Sequence, residues 1–288
     1  MLLSSFLTFM FLLSQPGDCT VGDFGFQVSD HAEQINAPGP EVCTTNTMRV
    51  PGQDFTFEMS QFHIHVSSEH TLGGKVFGAE LHAVHKARET DNLFAVLGFF
   101  IEPTATKNHP IFDQLLHELD EQADEIGAEC NKPTPLHWWQ KERPDMKRMR
   151  ANNHTYDHEA LNVYDLIPEG SSFYNYDGGL TTPPCTEAVV WNVVDTPIAI
   201  SPVQYTDLVA LIVNHVDEHS CDYSTIADPF SGSTSRPTQP LNRRRVERIC
   251  PEPVDEADNG KNDKNADDGE INVDDEEAAV VSRTGGDW

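Results

Sequence analysis

His63 and His65 stand two residues apart in Gln61-Phe62-His63-Ile64-His65, and His82 lies twenty positions along in Ala79-Glu80-Leu81-His82-Ala83-Val84-His85, counting from His63 as the first. Successive side chains on a strand point to opposite faces, so a strand here aims both imidazoles one way and Phe62, Ile64 and Val66 the other. Thr71-Leu72-Gly73-Gly74-Lys75 reads as a turn before a second alternating run, which makes the two strands antiparallel neighbours and brings a third imidazole alongside. Three neutral nitrogens with a fourth position open form the donor set of a catalytic zinc ion, whereas structural zinc sites are closed by four protein ligands, commonly including cysteine. Metal-bound histidines usually give their second ring nitrogen to a carboxylate, carbonyl or water. Gln61 and Glu80, each two residues before a histidine and on its face, suit that role. Zn2+ is therefore the expected cofactor. Without His82, the pair His63 and His65 would read as two ordinary surface or core histidines.

The elements that must position these residues are strands. Phe55 to Val66, Val76 to His85 and Leu93 to Ile101 carry strand-like alternation. Ile111, Phe112, Leu115, Leu116 and Leu119 follow helical spacing, and Ser201-Pro202 reads as an N-cap and first helical position ahead of Leu208, Leu211, Ile212 and Val213. Helices are accessories to the strands, and no internal repeat is present. A chain of 288 residues suits one sizeable domain plus extras.

The histidine segments are similar to the zinc-site segments of alpha-class carbonic anhydrases of the secreted type. Ser68-Glu69-His70-Thr71, Gly179-Leu180-Thr181-Thr182-Pro183-Pro184-Cys185-Thr186-Glu187 and Arg236-Pro237-Thr238-Gln239-Pro240-Leu241-Asn242 resemble further motifs of that family in the same order. The resemblance runs from about Phe24 to about Val246 and is strongest between Phe62 and Trp191. It implies a mostly β (α+β) fold: a large central, mainly antiparallel twisted sheet with a few peripheral helices and the zinc in a cone-shaped cleft. It also implies a lyase, a carbonate dehydratase, that reversibly hydrates carbon dioxide to bicarbonate and a proton. The metal lowers the pKa of its water into the neutral range, an effect for which carbonic anhydrase is itself the standard instance.

By the same resemblance His63, His65 and His82 hold the metal, and Thr181 and Glu69 are catalytic. The Thr181 hydroxyl accepts from the attacking oxygen and donates to Glu69. Carbon dioxide is small and apolar, so it needs a compact hydrophobic wall, for which the family positions are Val84, Val96, Leu180, Val189 and Trp191, with Thr182 beside the bicarbonate product. Each wall residue could equally be ordinary core. Read alone, the Thr181-Thr182-Pro183-Pro184 segment is a loop and Glu69 a surface acid.

Several departures from the family pattern stand out. Fast members pass the proton to a cleft histidine, since imidazole titrates near the working pH. If Phe24-Gly25-Phe26-Gln27-Val28 is the matching segment, Phe24 occupies that place, Gln27 is a nearby polar position, and His31 is close in sequence but out of register. The proton shuttle is thus unassigned, and turnover is expected to depend strongly on buffer. Val66 replaces a tryptophan usual after the second ligand, Pro38 to Gln53 looks like an insertion, and the family's early Gln-Ser-Pro-Ile-type segment has no counterpart, an absence expected to weaken folding.

The domain organisation expected is residues 1–17 as a signal peptide or misassigned start, residues 18–250 as the carbonic anhydrase-like domain, and residues 251–288 as an acidic disordered tail. The first run is apolar and too short to span a membrane as a helix, though no Lys or Arg precedes it. No other stretch looks transmembrane. The chain carries a net −28, of which the tail holds 13 acidic and 3 basic residues, a net −10, so that −18 remains for the rest. This balance argues against nucleic acid as a partner, and Arg243-Arg244-Arg245 is too short a basic run to reverse it. The tail's default role is a solubilising appendage, with loose binding of calcium or a cationic partner as the alternative.

Six cysteines without a CxxC pair favour disulfides, whose connectivity stays open. In secreted family members the cysteine at the place of Cys185 pairs with one in the early segment. Here Cys19 or Cys43 would substitute, or Cys185 stays unpaired. With the sequon Asn153-His154-Thr155, the cysteines point to a secreted or extracytoplasmic location. Two non-enzyme readings compete: an inactive carbonic anhydrase-related binding module, and an acidic mineral- or matrix-associated protein. Intact His63, His65 and His82 favour the enzyme, with ester hydrolysis as a side reaction of the same site.

Overall fold

The structure, a computed structural model, describes residues 25–29, 32–36, 47–50, 52–132, 163–214, 216–217, 219–223 and 232–250. The apolar N-terminal run, Phe24, His31, Cys19, Cys43, the sequon and the acidic tail lie outside them. Among the described residues nine strands form one sheet: β1 (Gly25–Ser29), β2 (Ala32–Asn36), β3 (Thr47–Met48), β4 (Phe57–Val66), β5 (Ala79–Ala87), β6 (Phe94–Glu102), β7 (Phe173–Gly178), β8 (Val189–Ala199) and β9 (Glu247–Ile249). Their order is β1-β2-β4-β5-β6-β8-β7-β9, with β3 also paired to β4. The β6–β8 pairing is parallel and the others are antiparallel, as the mainly antiparallel expectation required.

The alternation read from the sequence sorts the sheet into two apolar layers. Phe62, Ile64, Val66, Leu81, Ala83, Leu97, Phe99, Val190 and Val194 pack on one face. The same cluster contains Phe112, Leu115, Leu116 and Leu119 of α1 (Pro110–Glu129) and Leu208, Leu211 and Ile212 of α2 (Pro202–Val213), so both helices cover this face. Val84, Val96, Phe100, Tyr176, Val189, Trp191 and Val193 form a second cluster on the opposite face. That face carries the histidines.

Each helix begins where its sequence signals. Pro110 and Pro202 occupy the first turn, where a missing N–H costs nothing. The Ser201 side chain accepts from Gln204 N while the Gln204 side chain accepts from Ser201 N, a reciprocal cap. Gln204 also pairs with both backbone groups of His109, joining the start of α1 to that of α2.

Candidate functional site

The β4–β5 hairpin closes through Leu72 and Lys75, whose backbone groups bond each other across Gly73-Gly74, both at positive φ. Its register sets His63 opposite His82, His65 opposite Glu80 and Gln61 opposite Val84. One face of two neighbouring strands therefore collects all three imidazoles and both orienting candidates. The ring centroids are 5.0 Å apart for His63–His65, 5.2 Å for His63–His82 and 4.9 Å for His65–His82.

Hydrogen bonds choose which nitrogens converge. Gln61 Oε1 accepts from His63 Nδ1 at 2.8 Å, leaving Nε2 available, and Glu80 Oε1 accepts from His82 Nε2 at 2.8 Å, leaving Nδ1. One donor nitrogen from each of the three histidines lies within 4.8 Å of the others. Ligands sharing a zinc ion at about 2.1 Å sit about 3.4 Å apart. The set needs only a small closure, contains no thiolate, and fits a metal with an open coordination position. His70, Glu80 and His82 also lie close enough to hold a metal. There, however, Glu80 bonds both rings and the His70 Nε2 bonds Tyr176 Oη at 2.7 Å, which makes the group a hydrogen-bonded chain behind the triad.

Glu80 is fully buried, and its Oε2 accepts from the backbone N–H of Glu69 and of His70 at 2.9 and 2.8 Å. Burial opposes its ionisation, but the charges and hydrogen bonds of His70 and His82 outweigh that and hold its carboxyl well below the usual range. Glu69 follows the same logic. Burial raises it, and His65, His82, the Arg236 backbone N–H and the Thr181 hydroxyl together bring it below its ordinary value. Its Oε2 faces His65 Nε2 at 3.5 Å and His82 Nδ1 at 3.9 Å. Thr181 thus sits buried beside the triad, with its hydroxyl near enough to help hold the Glu69 carboxyl down.

The expected wall assembles as one cluster: Val84, Val96, Val189 and Trp191 are buried together, with Leu180 packed against them. Trp191 lies edge-on to His82, ring centroids 4.8 Å apart, and donates through Nε1 to Gly179 O. Thr182 is half-buried, its carbonyl accepting from Cys185 N. Val66, in place of tryptophan, is buried on the helix side and tied to Thr234 through both backbone groups.

Sequence reasoning gave no role to His70, Tyr176 or Arg236. His70 and Arg236 stood inside the quoted motifs, and Tyr176 carried no local signal. The cysteines resolve in part: Cys130 and Cys221 form a disulfide, while Cys185 and Cys250 are free thiols. Among the described residues no helix is long and apolar enough to cross a membrane.

Residues 25–250 match the family profile of eukaryotic-type carbonic anhydrases. The chain belongs to that family. A carbonic anhydrase of Nostoc sp. is 31% identical over 191 residues, which cover 66% of this chain and 53% of the relative. The chain spans about half the length of the first curated relatives it matches. Among solved structures, a hyperthermostable carbonic anhydrase from a hydrothermal vent chimney superposes with a TM-score of 0.53 at 24% identity, covering 86% of this chain and 83% of the other. Dioscorin complexed with ascorbate gives 0.53 at 19% identity, covering 82% and 77%. At these identities the structural likenesses establish the carbonic anhydrase fold alone.

Proposed function

We propose that this carbonic anhydrase is a zinc lyase that hydrates carbon dioxide to bicarbonate and a proton, with His63, His65 and His82 as the ligands. The observation that carries the reading is the convergence of three imidazoles, two of them oriented by a hydrogen bond from one ring nitrogen, next to the Thr181–Glu69 pair and an apolar wall. Zinc bound there would supply the Lewis acidity that lets water ionise near neutral pH. Gln61 and Glu80 hold the tautomers of His63 and His82, which keeps one lone pair on each ring aimed inward. Thr181 spends its proton on ionised Glu69, so its oxygen can only accept, and it turns the attacking oxygen's lone pair toward the substrate. Val84, Val96, Leu180, Val189 and Trp191 hold carbon dioxide without a polar clamp, and Thr182 stands beside the departing bicarbonate.

The proton must then reach bulk water. β2, not β1, is the strand hydrogen-bonded to β4, with Gln34 opposite His63 and Glu33 opposite Ile64. The proton shuttle is left unassigned, and buffer takes the proton in its place. Turnover is then expected to rise with buffer concentration at fixed pH while kcat/KM stays unchanged. A rate indifferent to buffer would contradict the missing shuttle.

The chain acts in an oxidising, extracytoplasmic setting, a reading supported by the Cys130–Cys221 disulfide. Residues 18–250 carry the activity, and residues 251–288 are a solubilising appendage. Stopped-flow carbon dioxide hydration, with zinc determined on the same sample and His82→Ala as control, tests the central reading. About one zinc per chain with hydration lost in His82→Ala is expected. The loss of metal affinity should exceed the roughly 10–100-fold that removing an orienting partner costs. A folded, zinc-loaded, inactive chain would sink the proposal in favour of a binding module.

A further inference from the structure

β9 ends the sheet: it pairs with β7 along one side, and among the described residues no strand pairs with its other side. Such an edge offers a row of backbone donors and acceptors to any extended chain that reaches it. Just before the strand, Arg244 N donates to Leu241 O at 2.9 Å, and Asn242 and Arg243 between them take positive φ, 50° and 65°. That tight turn leads into Arg243-Arg244-Arg245, and with Arg248 the stretch from Asn242 to Cys250 holds four arginines against one acid, Glu247. Arg243, Arg245 and Arg248 are exposed. Arg245 reaches Glu247 at 2.9 Å and Arg248 reaches Asp195 at 2.7 Å, surface pairs weak enough to exchange for other carboxylates. On a chain of net −28 this is a positive lobe, and no step of the proposed chemistry uses it.

We propose that residues 270–276 of the same chain occupy this edge, antiparallel to β9, with their acids on its arginines. The tail leaves β9 directly at Cys250-Pro251 and holds 13 acidic and 3 basic residues. Asn259-Gly260 is a strong signal for a two-residue reversal. A reversal centred there sets Asp274, Asp275 and Glu276 opposite Arg245, Arg244 and Arg243. The same register sets Val273 opposite Val246, whose side chain packs on the apolar layer of the site face, and so adds an apolar cross-strand pair. Glu270-Ile271-Asn272-Val273 alternates as a strand does, and Pro251 and Pro253, which cannot donate, fall in the span between the two paired stretches. Covalent attachment makes the docking unimolecular, at an effective concentration in about the millimolar range, so contacts too weak to hold a free peptide can hold a tethered one. The rest of the chain carries −18 and repels such a tail, which leaves the arginine stretch as its point of attraction. Covering the edge also removes a template on which a second copy could pair.

Small-angle X-ray scattering of the full chain tests the docking, at salt concentrations of about 10 mM and about 1 M, between which the screening length falls from about 30 Å to about 3 Å. An undocked acidic tail repels itself and the body at low salt and contracts as salt is added, whereas a docked one is released and expands. The native chain is expected to lengthen by roughly 10 Å or more in maximum dimension. Arg243→Gln/Arg244→Gln/Arg245→Gln is expected to shorten instead. Should that variant fail to fold, Asp274→Asn/Asp275→Asn/Glu276→Gln, which alters no described residue, gives the same change of sign. Carbodiimide coupling of Arg243→Lys at low salt, mapped by mass spectrometry on an equal mixture of isotopically heavy and light chains, tests register and donor. Links from position 243 to residues 274–277 are expected at least tenfold above links to Asp263 or Asp287, all within one isotopic form. Links joining heavy to light would mean that a second copy supplies the strand and would overturn the proposal. A native chain that contracts with salt, or links spread evenly over the tail's acids, overturns it equally.

Discussion

A fully buried carboxylate is tolerable only when its lone pairs are taken, and Glu80 has four donors around it: two backbone N–H groups and two imidazoles. The pairing of Glu80 with His82 was legible, because residues two apart on a strand share a face. The pairing with His70 was not, because it depends on the path of the chain between β4 and β5, where Ser68 Oγ bonds His70 O and Phe77 N. His85, by contrast, falls on the helix side. Its Nδ1 bonds Ala83 O, its Nε2 meets Tyr164 Oη at 2.7 Å, and burial pushes its pKa down to about 4. It is therefore neutral in the folded protein across a range where the unfolded chain, titrating near 6.5, takes up a proton. Stability tied to this residue is complete above pH about 6.5 and falls as pH drops toward about 4, by up to about 3 kcal/mol. Urea midpoints measured from pH 7 to 4 should decline less steeply in His85→Gln than in the native chain. Parallel slopes would mean that the fold does not depress the pKa of His85.

Strand alternation was readable because each of the two faces is buried against something apolar. Phe62, Ile64 and Val66 go to the helices, His63 and His65 to the opposite layer, and a slip of one residue would exchange them. The parallel β6–β8 pairing left no such trace: the strands are separated by α1 and the whole segment up to Val189, and alternation says nothing of partners. That pairing matters to the site through Gly98, which lies opposite His82 on β5 and Val193 on β8. A Cβ there would stand 3.1 Å from Glu80 Oε1 and 3.5 Å from Val193 Cγ2. Glu80 cannot yield without stretching bonds to two histidines and two backbone N–H groups, so the bare position makes room for the carboxylate. Gly98→Ala is expected to weaken metal retention roughly tenfold while far-ultraviolet circular dichroism stays native. Competition with a chelator measures it, and unchanged retention would show that Val193 or the strand moves aside at no cost to Glu80.

At the scale of the molecule, the sheet separates labour: helices and disulfide on one side, chemistry on the other. Cys130 follows the last residue of α1, and Cys221 follows α2, so their bond closes a span of 91 residues that contains β7, the Thr181 loop and β8. Their pairing could not be read from spacing, since six cysteines without a local motif are equivalent until the chain is folded. In the chain-entropy account, closing a loop of this length removes enough freedom from the unfolded state to be worth about 4.6 kcal/mol. The effect acts on the unfolded ensemble and not on the geometry of the triad, which the β4–β5 register holds independently. Replacing both cysteines by serine should therefore lower the thermal midpoint by about 10 °C and leave kcat/KM at 25 °C within about twofold. Differential scanning calorimetry and stopped-flow hydration on the same sample separate the two. An unchanged midpoint would mean that the unfolded chain keeps α1 and α2 together without the bond. A native midpoint-corrected fold with lost activity would mean that the disulfide reaches across the sheet to the Thr181 loop, which lies inside the span it closes.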